Sequence, residues 1–156
     1  MILEILQTNG IQLINDIRAN MGSAGMNATN ETSHSLRIEV NQSGNNFKLQ
    51  LFGRAFFMTV ETGRKPTPNK KPGRAMIERI TRWVEARDID IDAVWAIATN
   101  IQKKGTKLWQ DGGRTDIVQP AIDDFINNTS NDLMDAVADE FINEWKSLKL
   151  QLGTKS

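Results

Sequence analysis

The sequence predicts an α+β fold in which an N-terminal helix and a small antiparallel β-sheet of three to four strands pack against several further helices. Three observations carry this expectation: a helical hydrophobic period at the start of the chain, a change to period two in the segment that follows, and a return to the helical period beyond residue 74. In the first segment Ile2, Leu3, Leu6, Leu13, Ile14, Ile17 and Met21 recur at intervals that share one helical face, with Gly10 as a weak point that can divide the helix. The stretch "GSAGMNATNETSH" (22–34) is small and polar and reads as a loop. Leu36, Ile38 and Val40, then Phe47, Leu49 and Leu51, alternate with polar residues on either side of "QSGNN", which predicts a hairpin of two antiparallel strands. The apolar run "AFFMTVET" (55–62) is expected to add a third strand, with Gly53 marking the turn into it.

Beyond the loop at 63–74, Met76, Ile77, Ile80, Trp83 and Val84 form one apolar stripe. After "RDIDID", Val94, Trp95, Ile97, Ala98 and Ile101 form a second, with Asp92 as the expected N-cap and Gly105 as the C-terminal stop. "LWQDGGRTDIV" offers short extended pieces around a turn at Asp111, Gly112 and Gly113. Pro120 suits the first turn of a helix over 121–127, and Asn131 or Asp132 can cap a last helix that buries Leu133, Val137, Phe141, Ile142 and Trp145. Residues 153–156 are expected to fray. With 156 residues and no repeat, the prior is a single domain over 1–156.

Composition excludes more chemistry than it supplies. Nineteen basic and nineteen acidic residues cancel, so any electrostatic function must be local. The chain has no cysteine, which removes disulfides and thiolate chemistry, and its one histidine, His34, sits between a polar loop and a strand as an expected surface residue. Asp88, Asp90 and Asp92 lack the glycine and glutamate spacing of a calcium loop and read as a solvated turn, and no nucleotide phosphate loop is present. No catalytic, cofactor or metal site is expected, and the chain is read as a non-enzyme. No apolar run approaches the ~18 residues needed to span a bilayer, and the N-terminus lacks a signal-like basic start, so no membrane association is expected.

The residual signal is "ETGRKPTPNKKPGR" (61–74), which places Arg64, Lys65, Lys70, Lys71 and Arg74 on a proline-containing loop. Proline lowers the entropy lost when such a loop docks, so it suits an assembly contact or a phosphate backbone, against the bland alternative of a solvated connection. The tryptophans invite a ligand-pocket or base-stacking reading, but Trp83, Trp95 and Trp145 fall on apolar stripes, where core packing explains them at least as well. Trp109, near Lys107 and Arg114, can instead anchor a partner, with a core role left open.

Several segments in order resemble the tail-completion or neck protein family of tailed bacteriophages: "GMNATNETSHSLRIEV" (25–40), "VETGRKPTPNKKPGRAMIERITRWVEARDI" (60–89), "AIATNIQKKGT" (96–106) and "RTDIVQPAIDD" (114–124). The matching positions are Ala28, Thr29, Ser35 and Leu36; Glu61, Gly63, Arg64, Pro66 and Pro72; Ile80, Trp83 and Val84; Ile101, Gly105 and Thr106; and Arg114, Pro120 and Ala121. The loop departs from the family pattern by extra basic material at 67–71, and "RTDIV" lacks the usual proline and aromatic after Arg114. The resemblance implies a structural virion protein, made in the host cytoplasm, that forms a homo-oligomeric ring at the head–tail junction through which DNA passes. Six- or twelve-fold symmetry is expected, with portal, connector or tail proteins as partners. The loop at 63–74, Trp109 and Arg114 are then expected to contact a partner or lumenal DNA, protein contact being favoured by the zero net charge. The alternative is a small nucleic-acid-binding module that uses the loop at 63–74 to track phosphates.

Overall fold

The computed structural model describes residues 1–26 and 29–153. Ala28 of the family pattern and residues 154–156 lie outside the described residues. The element order is α1 (Ile2–Ser23), α2 (Glu31–His34), β1 (Arg37–Ser43), β2 (Asn46–Phe52), α3 (Arg74–Ala86), α4 (Val94–Lys104), α5 (Lys107–Gln110) and α6 (Gln119–Gly153), with 3-10 turns at Ala55–Thr59 and Ile91–Ala93. The mixed helix and sheet class agrees with the expectation. Its sheet does not reach three to four strands: among the described residues it is the antiparallel pair β1–β2.

α1 is one continuous helix, and Gly10 does not divide it. That glycine has another use. A Cβ built there would lie 2.5 Å from Ile38 Cδ1 and 2.9 Å from Leu49 Cδ1, so its absence seats the hairpin directly on the helix. The hairpin pairs Ile38 with Leu51 and Val40 with Leu49, and Gly44 takes a left-handed φ in its turn. The residues predicted to form a third strand turn instead into a 3-10 helix. This places Phe57 and Val60, three apart, against the core and leaves Met58 exposed, a burial pattern that an alternating strand cannot produce.

Two hydrophobic clusters result among the described residues. In the first, Leu13, Ile14, Ile17 and Met21 of α1 meet Leu36, Val60, Ile117 and Ala121. In the second, Met76, Ile80 and Val84 of α3 meet Val94 and Ala98 of α4. The helical stripes predicted for α3 and α4 are therefore the ones that pack, though Trp83 and Trp95 lie at their margins, exposed. Asp90, rather than Asp92, caps the turn before α4, its Oδ1 accepting from Asp92 N at 3.0 Å. Arg87 ties the end of α3 to the turn after α1, donating from Nη2 to Gly25 O at 2.7 Å while its guanidinium stacks over Trp83.

The two predicted C-terminal helices are a single helix. α6 runs 35 residues, on the order of 50 Å at the standard rise. Pro120 lies in its first turn as expected, but Asp132 does not cap anything: its Oδ2 accepts from Asn9 Nδ2 of α1 at 2.7 Å. Packing on α1 through Ala121 and the half-buried Ile122 and Phe125 overrides the weak helix preference of "NNTSND". The expected buried face fails further along. Leu133 is half-buried, whereas Val137, Phe141, Ile142 and Trp145 are exposed, and every described side chain over 137–150 faces solvent.

Candidate functional site

The basic loop at 63–74 has no regular secondary structure over residues 63–73, yet it is held by α4. Its centre is Gln102, 5% exposed. Gln102 Oε1 accepts from Thr67 Oγ1 at 2.6 Å and from Arg64 Nη2 at 2.9 Å. Its Nε2 donates to the carbonyls of Lys70 and Lys71 at 3.1 and 3.2 Å, and its own main-chain oxygen accepts from Thr67 N at 2.8 Å. One buried amide thus satisfies both ends of the loop, and a buried polar group with every partner in place specifies a unique conformation.

The loop's entry is fixed by the end of α4. Thr106 N donates to Arg64 O at 2.9 Å, and Arg64 N donates back to Thr106 Oγ1 at 2.9 Å, a two-way clamp. Thr106 also caps α5, its hydroxyl lying 3.4 Å from Trp109 N. Just upstream, Glu61 performs a long-range capping role: Oε1 accepts from the main-chain N–H groups of Val118 at 2.6 Å, Ile117 at 3.1 Å and Gln119 at 3.4 Å. A carboxylate at the start of α6 satisfies donors that the helix itself cannot, and it meets the positive end of the helix dipole. Glu61→Ala is expected to cost about 1–2 kcal/mol, read as a lowered urea midpoint, with Glu61→Gln recovering part of the loss by restoring an acceptor.

The seven residues singled out from the sequence separate by role. Arg64 is spent on Gln102. Arg114 forks onto Asp116 at 2.6 and 2.7 Å, and that hydrogen bonding holds the Asp116 carboxyl below the usual carboxylate range. Arg74 pairs with Glu78 one turn on, at 2.7 Å, on a fully solvated face. Lys65, Lys70 and Lys71 are exposed, and among the described residues their ammonium groups have no partner. Trp109 is 43% exposed and stands over Gly105, so it is a margin residue rather than a core one.

The structure also assembles groups that the sequence pattern did not single out. Lys70 and Lys71 share a shallow groove of about 520 Å³ with Trp95 and Lys103 of α4, where Trp95 is 61% exposed. Trp109 and Arg114 line a different hollow with Glu61 and Gly113. The aromatic beside the basic loop's tip is therefore Trp95. Its position on an apolar stripe concealed this. A second positive cluster surrounds Glu31, whose carboxylate accepts from both Arg54 and Arg82. Arg79 lies beside them along a groove floored by Ile80, Ile97 and Ile101. Desolvation, then repulsion from Arg64, Arg82 and Arg54, lowers the Arg79 pKa from its ordinary value, with Glu31 opposing. His34 is exposed at the end of α2, as expected.

Comparisons with protein-family models, with curated proteins and with solved structures return no match. No helix among the described residues is long and apolar enough to cross a membrane.

Proposed function

We propose that this protein is a structural assembly subunit of a tailed-phage head–tail junction, a ring component of the tail-completion or neck kind. The observation that carries the reading is the basic loop. A segment without regular secondary structure is pinned by one buried glutamine and a threonine clamp while Lys65, Lys70 and Lys71 remain outward and unpaired among the described residues. A solvated connection has no need of a buried amide at its centre; a contact element benefits, because a loop already ordered loses little entropy on docking. The sequence-distant segments that carry the family resemblance also meet here. Arg64 joins Thr106, Arg114 N donates to Glu61 O at 2.8 Å, and Glu61 caps the helix that holds Pro120 and Ala121. In this reading the chain is a virion component without catalysis, it surrounds the DNA path with further copies of itself, and the lysines meet an acidic face of a portal, connector or tail protein.

Mass spectrometry of virions produced by the genome that encodes the chain tests the assignment. Multiple copies per particle, and unjoined heads and tails when the gene is disrupted, are expected. Normal infectious particles without the chain would refute it.

A second reading is favoured by the Trp95 groove, where a base can stack while Lys70, Lys71 and Lys103 hold phosphates. The triple variant Lys65→Ser/Lys70→Ser/Lys71→Ser separates the two. Its urea stability should stay within ~0.5 kcal/mol of the parent, since these ammonium groups are exposed. On the assembly reading, binding to the neighbouring virion protein falls at least tenfold and the isolated chain shows little DNA affinity. On the nucleic-acid reading the parent binds duplex or single-stranded DNA at low salt, and the variant flattens the salt dependence by about two to three ions.

A further inference from the structure

Among the described residues nothing packs under the tip of α6. Met134 is 68% exposed, Phe141 67%, Trp145 57% and Leu148 51%, and all belong to a helix that continues unbroken from its packed first half. Large apolar side chains gathered on one exposed stripe mark an interaction surface. Their spacing defines its geometry. Met134, Ala138, Phe141, Trp145 and Leu148 follow one another at intervals of four, three, four and three, the repeat that keeps a seam facing a second helix in a left-handed coiled coil.

We infer that residues 134–149 of α6 form a parallel coiled coil with the same segment of a second copy of this chain. The flanking positions select this occupant. With Ala138 and Trp145 at a and Phe141 and Leu148 at d, Val137 and Glu144 fall at g, and Ile142 and Lys149 fall at e. In a parallel pair each g residue meets the e residue five positions on in the other helix. Val137 then faces Ile142 of the second copy, apolar on apolar, and Glu144 faces Lys149, anion on cation. Both flanks match in the same register. In the antiparallel arrangement g faces g and e faces e, so Glu144 and Lys149 no longer meet across the seam. An acidic or a basic foreign helix would match one charged flank position but not the self-matching pair. The cost of forming the helix is already met, because α6 is anchored to α1 by Asn9 and Asp132 and by the core residue Ala121.

This shares with the proposed function only the claim that copies of the chain associate. A ring that survives disruption of the α6 tip would keep the junction reading and sink this one, and a coiled-coil dimer that never forms rings would do the reverse.

The test uses the full chain and light scattering across a concentration series. The parent should be an oligomer at tens of micromolar, and Phe141→Glu and Trp145→Glu should each be monomeric with unchanged helical circular dichroism, since both sites are solvent-exposed. Glu144→Lys should weaken association at least fivefold, and Glu144→Lys with Lys149→Glu should restore it. The chain has no cysteine, so Leu148→Cys introduces a single thiol at a d position, and mild oxidation should link two chains nearly completely. A monomeric parent overturns the inference. So does an oligomer indifferent to the Phe141 and Trp145 variants, or one in which Leu148→Cys fails to cross-link.

Discussion

Gly105→Ala should destabilise the protein by about 3–4 kcal/mol, an effect large enough to abolish folding in a marginal domain. Gly105 ends α4 with φ 80° and ψ 178°, a region that residues with a Cβ essentially do not enter. A Cβ there would also lie 2.7 Å from Arg64 O and 2.9 Å from Trp109 Cδ1. The contact displaces the carbonyl that accepts from Thr106, so the strain of the turn is compounded by loss of the clamp at the loop's entry. Gly112→Ala tests a positive φ without crowding, because Gly112 has φ 88° with nothing within 4 Å of the added carbon. Its cost should be about 1–2 kcal/mol. Urea unfolding of the two variants side by side checks the difference; equal losses would mean that the close approach to Arg64 does not matter.

Gln102→Ala should cost about 2–3 kcal/mol and release the basic loop while leaving both hydrophobic clusters in place. Four side-chain hydrogen bonds disappear, and the guanidinium of Arg64 and the hydroxyl of Thr67 lose their common acceptor. Limited proteolysis reads the release. Lys65 and Lys71 each precede a proline, which trypsin cuts poorly, so new cleavage is expected after Arg64 and between Lys70 and Lys71. Gln102→Glu retains the acceptor for Arg64 and Thr67 but loses the donor to the carbonyls of residues 70 and 71, and should loosen that half of the loop alone. If the Ala variant matches the parent in both stability and cleavage, the loop is not held by this residue and the case for a preorganised contact element falls with it.

The residues of the candidate site were legible to different degrees. Lys65, Lys70 and Lys71 could be singled out from charge and proline content, and the structure leaves them outward. Arg64 of the same charge pattern and Arg114 beside Trp109 were also singled out, but internal partners at residues 102 and 116 consume them. Net charge and spacing cannot reveal the pairing of Arg64, whose partner lies 38 positions away. Gln102 itself carries no sequence signal: a glutamine on a helix is an ordinary solvent-facing residue until a loop folds over it. Glu61 appears in the pattern of the phage family, yet its capping of a helix more than fifty residues downstream emerges only from the fold.

Local periods and backbone preferences specify the elements whose stability is local or whose apolar face is complete. These are α1, the β1–β2 hairpin with its turn, the packed stripes of α3 and α4, and the glycine stop at residue 105, each written in a period or a backbone preference that acts over a few residues. Long-range packing set the rest. It turned 55–59 into a 3-10 helix, because Phe57 and Val60 must reach the same core. It joined two predicted helices into α6, because α1 supplies a surface along the intervening polar stretch. It also left the tip of that helix apolar and exposed, since a hydrophobic stripe records that a surface will be covered but not whether its cover lies in the same chain.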